Sequence, residues 1–158
     1  PIVSTINFYP KYLSLAIIPL PELDSITIID VNNFKKFKTI RVGRKPEKVV
    51  IVPSRKNAYI LNTNSKDISV VSLKSFVETA NINLKSTPLF ATVNQTENRL
   101  FVISETVWGN NLIEIDLDSN KVVHIHYAPT NVMAMLFTSD ENIGILAHYD
   151  KKRVNVFQ

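Results

Sequence analysis

Cysteine is missing from all 158 residues of the chain. Its absence excludes disulfides, zinc–thiolate sites and cysteine nucleophiles, and leaves the redox compartment open. Glycine is scarce, with three residues, so left-handed turn positions must be filled by other residue types. The abundant asparagines are the expected occupants. No apolar run reaches the ~18 residues that a membrane-crossing helix needs, so no membrane span is expected. Neither an initiator Met nor a charged-then-apolar leader precedes the first strand, and a processed or trimmed start at Pro1 is expected. Gly-x-Ser-x-Gly, His-Glu-x-x-His and phosphate-cradling glycine loops are all missing. No catalytic residue and no cofactor are therefore assigned.

What remains is a composition ordinary for one globular domain, 45% hydrophobic and 20% charged. The net charge of +4 is unevenly spread. Lys35, Lys36, Lys38, Arg41, Arg44, Lys45, Lys48, Arg55 and Lys56 are opposed locally by Glu47 alone. Further on, Glu97, Glu105, Glu114, Asp116 and Asp118 face only Arg99. One part of the surface is expected to be basic and another acidic.

A repeat organises the chain. Asn57-Ala-Tyr-Ile-Leu-Asn62 recurs as Arg99-Leu-Phe-Val-Ile-Ser104 and as Asn142-Ile-Gly-Ile-Leu-Ala147, with Tyr59, Phe101 and Gly144 spaced by 42 and 43 residues. Each copy is followed by a second run: Ile68-Ser-Val-Val-Ser-Leu73, Leu112-Ile-Glu-Ile-Asp-Leu117 and Val154-Asn-Val-Phe157, with Ile26-Thr-Ile-Ile-Asp-Val31 an earlier member. Another run precedes each copy, at 49–52, 90–93 and 133–137, and a fourth closes the unit at 38–42, 79–84 and 121–127. The runs are short and β-branched, which argues strands over helices. Four strands per roughly 42 residues is the blade pattern of a propeller. The expected fold is thus all-β, a β-propeller of about four antiparallel four-stranded blades at 1–43, 44–85, 86–128 and 129–158. The last blade lacks its outer strand, so fifteen strands appear where four full blades need sixteen. Membership of a larger ring is the favoured reading. A ring shared by two chains and a compact four-bladed domain are the alternatives.

Gly43-Arg-Lys-Pro46, Val49-Val-Ile-Val-Pro53, Ala58-Tyr-Ile-Leu-Asn62 and Ile68-Ser-Val-Val71 together resemble the YVTN-type propeller repeat. Asp30 and Asp116 match the closing Asp of that repeat, and Thr138-Ser-Asp140 its turn; Ser72 departs from it, and the usual turn glycine is missing. The resemblance implies a propeller of the tryptophan–aspartate-like superfamily. Sugar-lactone hydrolases occur in such propellers, although this chain shows no catalytic motif to carry over.

In a propeller, the loops between second and third strands share a rim with the loops between blades. That rim is expected to hold 19–25, 63–67, 105–111, 149–152, 44–46, 85–88 and 129–131. Rigidly mounted loops are where such folds bind. The candidate partner-binding residues are Trp108, Glu105, Tyr149, Arg44, Lys45 and Lys85. Glu105-Thr-Val-Trp-Gly-Asn-Asn111 is the longest loop of its class and holds the chain's one Trp. Exposed, it would anchor protein or sugar. The burial habits of Trp instead favour its folding back over the gap between blades. The basic residues of 35–41 fit an edge strand guarded by lysines, and with Phe34 and Phe37 alone among them, nucleic acid is disfavoured as partner. His124-Ile-His126 sets two imidazoles on one strand face. No metal site is assigned there, because structural zinc takes four ligands. Asn94-Gln-Thr96 is a glycosylation triplet at an expected turn.

The function expected is a non-catalytic scaffold that binds a protein or glycan through its rim, with self-association available to complete the ring. A propeller hydrolase of the sugar-lactonase type is the alternative. An extracellular or cell-surface location is favoured.

Overall fold

The computed structural model describes residues 7–8, 15–128, 130, 132–138, 144–148 and 154–157. Fifteen strands form among them, and no α-helix. Among the described residues, no helix is long and apolar enough to cross a membrane. All strand pairing is antiparallel, within four sheets. Sheet one comprises β1 (Asn7–Phe8), β2 (Leu15–Leu20), β3 (Ser25–Asp30) and β4 (Lys35–Arg41). Sheet two holds β5 (Pro46–Val52), β6 (Asn57–Asn62), β7 (Asp67–Ser72) and β8 (Val77–Asn83). Sheet three holds β9 (Thr87–Val93), β10 (Arg99–Thr106), β11 (Gly109–Asp116) and β12 (Lys121–Ala128). Sheet four holds β13 (Val132–Phe137), β14 (Gly144–His148) and β15 (Val154–Phe157). Each sheet is a meander in chain order.

The repeat is visible in irregularities as well as in strands. A bulge interrupts pairing of the third with the fourth strand at Ile28/Ile29, Val70/Val71 and Glu114/Ile115. Another interrupts the first pairing at Pro46/Lys48 and Val132/Ala134. A bulge adds local twist. Its recurrence at matching places turns each outer strand in the same way.

The chain divides into two compact units, Pro1–Thr87 and Pro88–Gln158. In the first, sheet one stacks on sheet two through β2 against β5, with β4 beside β8. Leu15, Ile17, Ile26, Ile28 and Ile40 meet Val49, Ala58, Ile60 and Val71 in one core. Phe37 and Phe76 close its outer side, their ring centroids 4.7 Å apart. The second unit repeats the arrangement on sheets three and four. Ile103, Leu112 and Ala128 pack with Met135 and Leu146, while Phe101 meets Phe137 at 4.4 Å.

Sheet two is buried on both faces. Ala58 and Ile60 face the first core, yet Tyr59 and Leu61, pointing the opposite way, are equally inaccessible. Strands covered on both sides read as continuous apolar runs instead of alternating patterns, which is why Tyr59-Ile-Leu61 shows no period of two. Each fully buried Ile or Leu contributes about 1.5–3 kcal/mol.

The turns depart from expectation. Among the described residues, left-handed φ values fall on Lys45, Lys56, Lys66 and Lys85, on Phe34 and Phe76, on Asp24 and Glu97, and on a single asparagine, Asn120. Asparagines act one step away instead. Asn33 and Asn83 accept through Oδ1 from the amides of Lys35 and Lys85, both at 3.0 Å. Side-chain capping of the turn thus takes the Asn, and the strained position is left to residues held in place by flanking strand pairing.

Replacing Ile60 by Ala, at the centre of the first core, should cost about 2–5 kcal/mol in urea unfolding. A loss under 1 kcal/mol would contradict the burial assigned to this position.

Candidate functional site

Backbone hydrogen bonds tie neighbouring turns of the described residues together. In the first unit, one end gathers the β2–β3 turn, the β4–β5 connection and the β6–β7 turn. Val42 N–H donates to the Asp24 carbonyl at 3.0 Å, and Lys45 N–H to the Asp24 carboxylate at 2.9 Å. Thr63 and Asn64 donate their amides to the carbonyls of Lys45 and Arg44, at 3.0 and 3.2 Å. Leu84 N–H donates to the Lys66 carbonyl at 3.0 Å, bringing the exit of sheet two to the same end. These are the segments that the repeat pattern assigned to one rim.

Gly43 lets the rim close. A Cβ there would lie 2.5 Å from both Asn62 Nδ2 and Ser65 Oγ, and 2.6 Å from Asp67 Oδ1. Into this space converge Asn62 Nδ2, donating to Asp67 Oδ1 at 2.7 Å, and Ser65 Oγ, donating to the same atom at 3.0 Å. Gly43 and Arg44 donate their amides to Ser69 Oγ and Ser65 Oγ. The cradle is half-buried and held by these shared hydrogen bonds, while the buried Asn62 Oδ1 has no hydrogen-bond partner.

Arg44 is exposed on this rim, as is Lys85. Lys45 is half-buried and pairs with Glu47 at 3.0 Å. Arg55 and Lys56, however, lie at the opposite end of β5, beyond a strand of about 23 Å. The basic stretch seen in sequence is therefore divided between the two ends of sheet two. Of its remaining members, Lys48 lies within β5, and Lys35, Lys36, Lys38 and Arg41 line β4, the exposed edge of sheet one.

Sheet three carries the other candidates, and here the sequence reading needs correction. Residues 105–111, read as a long loop, are mostly strand. Glu105 pairs with Asn110 and Thr106 with Gly109, leaving Val107 and Trp108 as a two-residue tip. Thr106 Oγ1 donates to the Gly109 carbonyl at 2.8 Å and accepts from Trp108 N–H at 3.2 Å. Gly109 has φ 132°, a conformation that L side chains rarely adopt, and a Cβ there would press the Tyr127 ring at 3.3 Å. Glycine thus permits the tight tip. β10 and β11 run eight residues each against six for β6 and β7, so this hairpin is longer by two residue pairs.

Trp108 does not fold back. It and Val107 are each 90% exposed, with Tyr127 beside the tip at 75%. Glu105 is also exposed. Tyr149 lies outside the described residues, as does all of 149–152, together with Pro129 and Asn131 of the next expected turn.

An ion-pair chain crosses the lower part of sheet three. Asp116 binds Arg99 Nη1, Arg99 Nε donates to Glu114 Oε1 at 3.0 Å, and Glu114 Oε2 meets His124 Nδ1 at 3.1 Å. Asp116 also accepts at Oδ1 from the Ser119 hydroxyl and amide, at 2.7 and 2.8 Å. The Ser119 hydroxyl, then its amide, with Arg99 adding to them, hold the Asp116 carboxyl below its ordinary value of 3.8. Asp30 accepts similarly from Asn32 N–H and Asn33 Nδ2. Both aspartates brace turns.

The glycosylation triplet is likewise structural. Asn94 is buried, and its Nδ2 donates to Thr96 Oγ1 at 2.9 Å and Asn98 Oδ1 at 2.7 Å. Its Oδ1 accepts from the amides of Asn98 and Arg99. A glycosyl acceptor must present that amide to an enzyme; in the fold it is engaged. Among the described residues no group of three or more His, Cys, Asp or Glu converges to hold a metal ion.

No protein-family model matches the chain, and no curated protein matches it. Solved structures do. It is similar to a chain of Kuenenia stuttgartiensis hydrazine synthase at TM-score 0.77 and 22% identity, over 85% of this chain and 40% of that one. It is also similar to the dihydro-heme d1 dehydrogenase NirN, solved in complex with DHE, at TM-score 0.79 and 15% identity, over 98% of this chain and 35% of that one. At these identities the likeness is one of fold, and the chain spans well under half the length of either. With 593 solved chains matching, the fold by itself selects no activity.

Two outcomes check this geometry. Gly43→Ala should destabilise the chain by about 1–3 kcal/mol, since the added methyl must displace the polar cradle; thermal unfolding of the variant measures it, and an unchanged midpoint contradicts the close approach. For Asp116 the folded carboxyl titrates below the unfolded one, so its contribution is present above the unfolded value and lost as pH falls through the folded one. The stability gap between the parent chain and Asp116→Asn should thus narrow as the pH drops below about 3.8. A gap constant down to pH 2 would contradict it.

Proposed function

We propose that the four sheets are blades of a β-propeller and that the chain acts by binding, capturing a protein or glycan partner on its loop rim without catalysis of its own. The blade reading is supported by the sheet meanders near 42-residue spacing, the recurring bulges, the face-to-face stacking within each unit, the YVTN-type resemblance and the likeness in fold to the solved chains. A larger ring is favoured by sheet four, where Leu136 and Val156 stand 65% and 63% exposed on the face away from Met135 and Leu146. An apolar blade face of this kind is covered by a further blade, from the same chain or a second copy.

The observation that carries the binding reading is the tip of the β10–β11 hairpin. A tryptophan held at 90% exposure on a rigid, lengthened hairpin, with Val107 and Tyr127 beside it, is costly to keep in water unless it has a use. Its indole supplies a broad rigid face with one hydrogen-bond donor, which suits a sugar ring or an apolar protein pocket. Glu105, exposed on the same hairpin, supplies a polar contact beside the tip. In the first unit, Arg44, Lys45 and Lys85 offer cationic contacts of their own.

Trp108→Ser tests this. Binding to an immobilised glycan panel and to partner proteins recovered by affinity capture should fall by about 2 kcal/mol, roughly thirtyfold. The unfolding free energy should stay within about 0.5 kcal/mol. Capture that survives the substitution undiminished would sink the proposal.

A further inference from the structure

The outer strand of sheet three carries a pair of imidazoles that the rim-binding reading does not use. His124 and His126 both lie exposed on one face of β12, with ring centroids 5.9 Å apart and planes inclined by 29°. Glu114 sits opposite His124 in the register and Leu112 opposite His126. The carboxylate of Glu114 can only accept at neutral pH, so the 3.1 Å contact requires His124 to donate from Nδ1. In the neutral ring that tautomer leaves the Nε2 lone pair of His124 available to a metal ion. Glu114 is itself held, because Arg99 occupies its other oxygen and is anchored in turn by Asp116. The result is an oriented imidazole with a carboxylate behind it, the arrangement that raises the basicity of a metal-ligating histidine.

We propose that His124 and His126 form a two-imidazole chelate for a late first-row divalent transition metal ion at the surface of sheet three, with Glu114 as the positioning residue. The site differs in kind from structural zinc, which is closed by four protein ligands; here two ligands hold the ion and water completes its shell. Metal–nitrogen bonds of about 2.0–2.1 Å let two nitrogens stand at most about 4 Å apart. The rings must therefore approach one another, and the exposed His126, which no carboxylate fixes, moves by side-chain rotation alone. Imidazole without thiolate or multiple carboxylates selects copper, nickel and zinc over magnesium and calcium, with Cu2+ bound most tightly.

Calorimetric titration of the full chain with Cu2+, Ni2+ and Zn2+ in a non-coordinating buffer tests the site. The expected result is one ion per chain, Cu2+ tightest. His124→Ala and His126→Ala should each lower the affinity by at least about tenfold, and Glu114→Gln by about tenfold with stoichiometry unchanged. His148→Ala, the chain's third histidine, should leave binding intact. Because both imidazoles are exposed, circular dichroism of the variants should match the parent chain. Affinity unaltered in His126→Ala, lost in His148→Ala, or one ion shared by two chains would each overturn the proposal. Loss of Trp108-dependent capture bears only on the rim and leaves this test untouched.

Discussion

Everything in this fold follows from sheets that are oily on both faces. A four-stranded meander of about forty residues cannot fold its two apolar sides inward on itself. Each must be covered from outside. In the first unit, sheet one covers one face of sheet two; in the second, sheet four covers one face of sheet three. Tyr59, Leu61, Ile68 and Val70 are fully buried on the other face of sheet two. The hydrophobic term supplies the drive, and antiparallel pairing satisfies the backbone groups that burial would otherwise strand.

The ends of the sheets answer a different demand. With little glycine, the chain reverses direction through left-handed lysines, phenylalanines and acidic residues, while asparagine and serine side chains cap the adjacent amides. Long side chains at these positions have a place to go. Phe76 lies against Phe37 beneath the core, whereas Phe34 stays in water. The strain of each turn is carried by pairing on either side, so turn chemistry and strand length are coupled.

Sheet three departs most from its siblings. Its hairpin is longer, its tip apolar and its outer strand bears two histidines, where β4 carries three lysines and β8 neither lysine nor histidine. Lysines on an edge strand discourage unwanted pairing. Their replacement on β12 by histidines and apolar residues changes that edge from a guarded surface to one with chemistry. The Trp108 tip and the imidazole pair both lie on this one sheet.

Strand order, strand type and the four-part division were legible in the sequence, because the runs near Tyr59, Phe101 and Ile145 recur at a fixed spacing and a strand's pairing partners here are its neighbours in the chain. The hairpin tip was not. Polar Asn110 and Asn111 read as loop, and only the φ of Gly109 together with the Thr106 hydroxyl shows that they pair. Nor was the fate of Trp108, since exposure depends on how far a hairpin projects past its neighbours. The partners of Glu114 and the division of the basic stretch between two sheet ends were tertiary decisions too. They depend on which residues lie across a strand, and spacing along the chain does not encode that when bulges shift the register.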